Sequence, residues 1–148
     1  MIFDMAATQN NRLELFTNGN QHEYNTGGWV LATSGIGSSY WEIGETLTVY
    51  AVGGTVSTVD IRSKSTIDLT NIKTLHVDAD VNGSLTNGNV QIRIIKGSDI
   101  TSFELIDKKL PYDFDISDIT GECSISIYAR CTTSGAFTRG IVTKMWAV

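Results

Sequence analysis

With 148 residues, a net charge of −5 and 41% hydrophobic side chains, the chain is expected to fold as one globular domain, residues 1–148, long enough to bury a core. No apolar run approaches the roughly 20 residues of a membrane-spanning helix. No Lys/Arg cluster supplies the concentrated positive charge that nucleic acid or an anionic membrane surface needs, so neither is an expected partner.

One proline and 14 glycines among many Thr, Ser and Val residues favour short strands joined by tight turns. The expected class is all-β: a two-sheet antiparallel β-sandwich with jelly-roll topology. The opening MIFDMAATQNNR has neither the basic start nor the continuous apolar stretch of a signal peptide, and residues 1–10 read as a loosely ordered arm. Leu13 and Leu15 belong to a short strand closed by the turn Thr17-Asn18-Gly19-Asn20. Gln21 to Gly28 lacks periodicity and reads as a loop, Trp29 to Ala32 as a buried strand, and Thr33 to Ser39 as a second, flexible loop. Tyr40 to Ile43 forms a short strand, followed by Thr46 to Val52 with Leu47, Val49 and Ala51 inward.

A hairpin is expected next, at Gly53-Gly54. A two-residue loop would leave Val59 and Ile61 on the wrong face. A three-residue loop, Val52-Gly53-Gly54, pairs Ala51 with Thr55 and Leu47 with Val59, and puts Gly54 at the left-handed third position. That choice turns Val59 and Ile61 inward and Asp60 and Arg62 to water.

Lys73 to Val81 alternates cleanly, with Leu75, Val77, Ala79 and Val81 inward and His76, Asp78 and Asp80 outward. Asn82-Gly83 and Asn87-Gly88 bracket a turn-rich loop, and Val90, Ile92 and Ile94 mark another strand. Gly97 to Asp99 turns the chain into Phe103–Ile106, and Asp107 to Lys109 turns it again before Tyr112. Thr120 to Cys131 is the longest alternating stretch, with Cys123, Ile125, Ile127 and Ala129 on one face and Glu122, Ser124, Ser126, Tyr128 and Arg130 on the other. Ser134-Gly135 precedes a last strand, Ile141 to Val148, whose two faces are mixed, leaving the side taken by Trp146 open.

If Cys123 and Cys131 lie on one continuous strand they are about 26 Å apart, far beyond the roughly 4.4–6.8 Å that a disulfide spans. Two free thiols buried as small hydrophobes point to folding in a reducing compartment.

One internal echo stands out. Ile67-Asp68-Leu69-Thr70-Asn71-Ile72 matches Phe114-Asp115-Ile116-Ser117-Asp118-Ile119 in chemical type, and each leads into an alternating strand. Short polar side chains in such a turn bond nearby amides while the apolar ones plug the end of the core. Together with Thr26-Gly27-Gly28-Trp29, these turns resemble those of jelly-roll modules in phage and prophage tail proteins of Gram-positive gut bacteria, which are similar in turn to non-catalytic carbohydrate-binding modules. The resemblance spans roughly residues 13–148. It implies a virion surface or adhesion role without assigning a ligand-binding residue.

Candidate chemistry is sparse. His22 and His76 are far apart, and no Cys/His spacing suits zinc. His76, Asp78 and Asp80 share one strand face, which could hold a hard cation with help from Asn82, Asn87 or Asn89, but a solvated sheet face is favoured. Neither a metal nor a cofactor is expected. Glu14, Glu23, Glu42, Glu45 and Glu104 could be paired on paper for glycoside cleavage, yet nothing fixes the required separation. Nucleophile-elbow and phosphate-loop motifs are missing as well. The chain is therefore not expected to be an enzyme.

The aromatics are the best lead. Tyr24, Trp29, Tyr40 and Trp41 lie close in sequence beside two Gly/Ser-rich loops and form the candidate carbohydrate-binding set. Exposed aromatic faces stack on sugar rings, and Asn18, Gln21, His22, Glu23 and Asn25 could orient them. Trp29 is favoured as a core residue, with Tyr40 and Trp41 open. The functional expectation is a non-catalytic structural or adhesion module of a virion, folded in the host cytoplasm, that forms homo-oligomers, contacts other virion proteins and binds cell-surface glycan. The alternative is a free-standing, extracellular carbohydrate-binding module of a glycan-degrading system.

Overall fold

The computed structural model describes residues 12–34, 39–53, 56–86, 88–106 and 110–148. The expected N-terminal arm, the tip of the second loop, Gly54, Asn87 and the turn at 107–109 lie outside the described residues. The strands are β1 (Leu13–Thr17), β2 (Trp29–Ser34), β3 (Tyr40–Ile43), β4 (Leu47–Val52), β5 (Ser57–Ser63), β6 (Ile67–Asp68), β7 (Thr74–Gly83), β8 (Gly88–Lys96), β9 (Asp99–Leu105), β10 (Leu110–Asp115), β11 (Glu122–Cys131) and β12 (Phe137–Ala147). One helical turn, α1 (Glu23–Thr26), interrupts the stretch expected to be loop.

Two antiparallel sheets face each other as a jelly-roll sandwich. The first runs β10-β7-β12-β4-β3, with β1 pairing the far end of β12; the second runs β2-β5-β11-β8-β9, with β6 pairing the start of β11. Alternation decides what lies between them. Leu47, Val49, Ala51, Leu75, Val77 and Val142 from the first sheet meet Val59, Ile61, Val90, Ile92, Ile125 and Ile127 from the second, all at most 1% exposed. Cys123 and Cys131 are both buried and both free, on the one strand β11.

The expected β4–β5 hairpin is not formed. β4 pairs with β3 and β12, whereas β5 pairs with β2 and β11 in the opposite sheet. Matching apolar faces satisfies strands that face each other across a core as well as strands that lie side by side, so period-two patterning could not tell these apart. Gly53 serves close approach instead: a Cβ there would stand 1.7 Å from the Thr133 carbonyl oxygen, and its N–H donates to Ala136 O at 2.9 Å. Val59 and Ile61 are in the core as expected, but Asp60 is also buried, held by Arg62 Nη2 at 2.9 Å. Its strand is interior to the second sheet, flanked by β2 and β11.

Two register shifts explain irregular stretches of sequence. In β1 the shift between Glu14 and Phe16 lets Leu15 and Phe16 both be buried, and in β12 the shift between Val142 and Lys144 changes the phase of the strand. The second shift is why the faces of the last strand look mixed: Val142, Met145 and Ala147 point inward, and Trp146 points outward.

The echoed turns are built alike. Asp68 Oδ1 accepts from Thr70 N at 2.9 Å, and Asp115 Oδ1 accepts from Ser117 N at 2.9 Å and Ser117 Oγ at 2.6 Å. Ile72 N donates to Leu69 O and Ile119 N to Ile116 O, while Leu69 and Ile116 plug the core. In both turns the Asp carboxyl is held below its ordinary value by these bonds, from the Thr70 backbone in one and chiefly from the Ser117 hydroxyl in the other.

Candidate functional site

The outward face of the first sheet carries a shallow groove assembled by strand register. One row crosses it as Tyr40, Tyr50, Arg139 and Asn82, each directly paired with the next; a second runs Glu42, Thr48, Ile141 and Asp80. With strands about 4.8 Å apart, each row spans about 14 Å. Two hollows of 500 and 480 Å³ meet at Ile141. The first is lined by Tyr40, Glu42, Thr46, Thr48, Tyr50 and Arg139, and the second by Asp78, Asp80, Leu110, Pro111 and Thr143. Each falls within the volume range of small-molecule sites, about 300–1,000 Å³.

The polar groups in this groove are held by neighbours. Arg139 Nε donates to Asn82 Oδ1 at 3.1 Å, and its guanidinium carbon lies 5.9 Å from the Tyr50 ring, which stacks on Phe137 with centroids 5.2 Å apart. Tyr40 Oη donates to Glu42 Oε2 at 3.1 Å; that bond, and then the Glu42 charge, push the phenol up from its ordinary value. Thr46 and Thr48 share a hydroxyl hydrogen bond at 2.7 Å. The result is an apolar saddle at Ile141, a tyrosine pair at one end, two carboxylates at the other and a fixed guanidinium between: ring-stacking surface with donors and acceptors to orient hydroxyl groups.

Beyond the second hollow, His76 stacks on Trp146 at 5.0 Å and its Nδ1 contacts Asp113 Oδ1, while the Arg12 guanidinium lies 4.3 Å from the Trp146 ring centre. His76 and Asp78 share a strand face as expected, but His76 is engaged with Asp113 and Trp146. Among the described residues no three His, Cys, Asp or Glu side chains gather to hold a metal ion. The carboxylates considered for catalysis are dispersed: Glu14 pairs with Arg12, Glu42 with Tyr40, and Glu104 binds Gln91 at 2.6 Å on the other sheet.

The four aromatics singled out from sequence do not form one surface. Tyr24 is fully exposed on α1. Trp29 is in the core, 4% exposed, where its Nε1 donates to Leu15 O at 3.0 Å, the carbonyl at the register shift in β1. Indole and bulge are one structure: the shift leaves a carbonyl without a ladder partner, and Trp29 supplies the donor. Thr26-Gly27-Gly28 holds it in place, with Thr26 Oγ1 donating to Gln21 O at 2.7 Å and accepting from Gly28 N at 3.0 Å. Tyr40 and Trp41 are neighbours on β3 and are 51% and 41% exposed, but alternation sends them to opposite faces. Only Tyr40 lines the groove. Of the proposed polar partners, Gln21, His22 and Asn25 fasten the α1 segment: Gln21 Oε1 accepts from Trp29 N, His22 bonds Thr17, and Asn25 Nδ2 donates to Glu14 O. Tyr50, Thr48, Arg139 and Ile141 were missed. Their outward phase was readable, but their adjacency depends on which strands pair.

No family model matches this chain, and no curated protein matches it. Solved structures do. A family 29 carbohydrate-binding module superposes with a TM-score of 0.60 at 13% identity, covering 93% of this chain and 91% of the other. The same module in complex with cellulohexaose gives 0.57 at 14%, covering 92% and 89%. The module TmCBM61 in complex with β-1,4-galactotriose gives 0.54 at 9%, covering 88% and 94%. The likeness is one of fold.

Proposed function

We propose that this chain is a non-catalytic carbohydrate-binding module whose ligand, a glycan chain, lies across the outward face of the first sheet. The observation that carries this reading is the groove itself. Two hollows lie side by side along it with Ile141 in both linings, a layout that suits an extended chain better than a single compact molecule. The shared fold adds support, because structures with the same sandwich hold cellulohexaose and β-1,4-galactotriose.

The setting proposed is the tail of a phage or prophage particle, where the module presents its groove to glycan on the host surface. Its support is the resemblance carried by Thr26-Gly27-Gly28-Trp29 and the twin turns at 67–72 and 114–119. An extracellular module of a glycan-degrading system fits the groove equally well. Tail or baseplate genes beside the coding sequence favour the first setting; an attached catalytic domain favours the second.

The test is a glycan array followed by calorimetry on the strongest ligand. Tyr40→Ala is expected to weaken binding by roughly 2- to 13-fold, from an aromatic contact of about 0.5–1.5 kcal/mol. Arg139→Ala is expected to weaken it about 10- to 150-fold, from charged hydrogen bonds of about 1.5–3 kcal/mol. Tyr24→Ala, which alters an exposed aromatic that lines neither hollow, leaves affinity unchanged. Equal losses in all three variants, or an array with no bound glycan, would remove the reading.

A further inference from the structure

Among the described residues six strands border an open edge, and all but β9 carry a feature that blocks pairing with another chain. β1, beside β12, has a register shift between Glu14 and Phe16, and β6, beside β11, is two residues long. β3 is only four residues long; β10 contains Pro111, which has no N–H to donate; β2 is broken by the register shift between Leu31 and Thr33. β9 carries none of these. It is seven residues long, contains neither proline nor lysine, and pairs with β8 in unbroken register from Val90–Leu105 to Lys96–Asp99. Residues 99–102 are exposed, with Ile100 at 51%.

The direction of the unpaired backbone groups follows from the turn. Lys96 and Asp99 flank the two-residue turn Gly97-Ser98 and form its closing hydrogen-bonded pair. Asp99, Thr101, Phe103 and Leu105 therefore point their N–H and C=O groups toward β8, and Ile100, Ser102 and Glu104 point theirs away from the molecule.

We propose that β9 is a self-association edge: a second copy adds its own β9 antiparallel to the first, about a two-fold axis at Ser102, so that the second sheets of two molecules become one. Antiparallel pairing of identical strands is isologous, as closed homodimers require. This register places Ser102 opposite the partner's Ser102 and Ile100 opposite the partner's Glu104. Every outward-pointing group then falls in a hydrogen-bonded pair, about six bonds in all. Asp99 and Glu104 are not placed opposite their own copies, which would oppose like charges. The two-fold axis of such a pair stands perpendicular to the sheet, so the outward faces of both first sheets look the same way. Two copies of one surface are thereby presented together, the arrangement from which weak sites gain avidity.

Edge contacts of this size associate weakly, so sedimentation velocity on the full chain should extend to about 1 mM protein. A monomer–dimer equilibrium is expected. Ser102→Pro and Ser102→Lys should be monomeric with unchanged urea midpoints, because the Ser102 N–H points away from β8. Ser102→Cys should form a disulfide-linked dimer under mild oxidation, since a hydrogen-bonded antiparallel pair has Cα atoms about 5.5 Å apart. Ile100→Cys should not, because its own counterpart lies two positions away on each side of the axis, about 13 Å off. The native thiols are both buried and do not compete. A monomer at every concentration, a dimer that survives both Ser102→Pro and Ser102→Lys, or cross-linking of Ile100→Cys equal to that of Ser102→Cys would overturn the proposal. None of these readouts involves glycan.

Discussion

At Gly140 the two sheets approach closely enough for one methyl group to probe their spacing. A Cβ on it would stand 2.6 Å from Val90 Cγ1, 3.5 Å from Val49 Cγ2 and 3.7 Å from Ile127 Cδ1. Carbon atoms pack best at about 3.5–4.0 Å, so Gly140→Ala must open the gap to β8 by about 1 Å while its contacts to Val49 and Ile127 are already ordinary. Overpacking of this kind costs about 1–3 kcal/mol. For a chain of this size that corresponds to a fall in Tm of roughly 2–12 °C. Val90→Ala alone leaves a small cavity and also destabilises. In the double variant the inserted methyl occupies the space that Val90 vacates, so the combined loss should fall short of the sum by at least about 1 kcal/mol. Urea unfolding followed by tryptophan fluorescence measures all four corners, with m unchanged if only packing is altered. Additive effects within about 0.5 kcal/mol, or a Gly140→Ala variant as stable as the parent, would refute the claim that sheet spacing at Gly140 is set by Val90. Arg139 and Ile141 flank this glycine and line the groove, so the same spacing fixes the floor of the candidate site.

Asp68 and Asp115 should shape the acid limb of stability. Each carboxyl has its folded value lowered from 3.8, so its contribution is present above that value and lost as pH falls through the lower folded one. Asp115→Ala should therefore lower Tm at neutral pH and flatten its decline below about pH 4, and parallel Tm–pH curves for variant and parent would contradict this. Trp29→Phe keeps an aromatic ring in the core but leaves the Leu15 carbonyl without its donor, and should lower unfolding free energy by about 1–3 kcal/mol. An unchanged urea midpoint would show that the bulge carbonyl finds another partner.

What could be read from sequence was phase, and what could not was neighbourhood. The inward sets Leu75-Val77-Ala79-Val81 and Cys123-Ile125-Ile127-Ala129 are buried as expected, because period-two alternation is a property of each strand alone. The twin turns were legible for a similar reason: an Asp bonding the amide two residues on is a local event, and both copies form it. The β4–β5 pairing failed because it joined two strands on patterning that facing strands satisfy equally. The last strand was drawn too short and its faces left mixed because a one-residue shift at Thr143 reverses the alternation midway.

The aromatic set grouped from sequence is not one surface in the fold, for the same reason that the hairpin is not formed: closeness along the chain does not give neighbourhood across a sheet. Closeness along the chain grouped Tyr24, Trp29, Tyr40 and Trp41, yet one is a core residue that completes a bulge and two adjacent ones face opposite ways. The groove draws instead on residues 40, 50, 80, 110 and 139, separated by up to about a hundred positions and brought together only by the order β3-β4-β12-β7-β10. A glycan face on a sheet is a row across strands, and a row has no signature along any one of them. The signal that was available is compositional: outward positions normally given to charge and hydroxyl here include Tyr40, Tyr50, Ile141 and Trp146, all on one sheet. Apolar and aromatic residues at positions that alternation turns to water are costly to expose unless something covers them. Had outward phase been used to choose among the aromatics, in place of proximity in the chain, Tyr40 and Tyr50 would have been selected and Trp29 and Trp41 set aside.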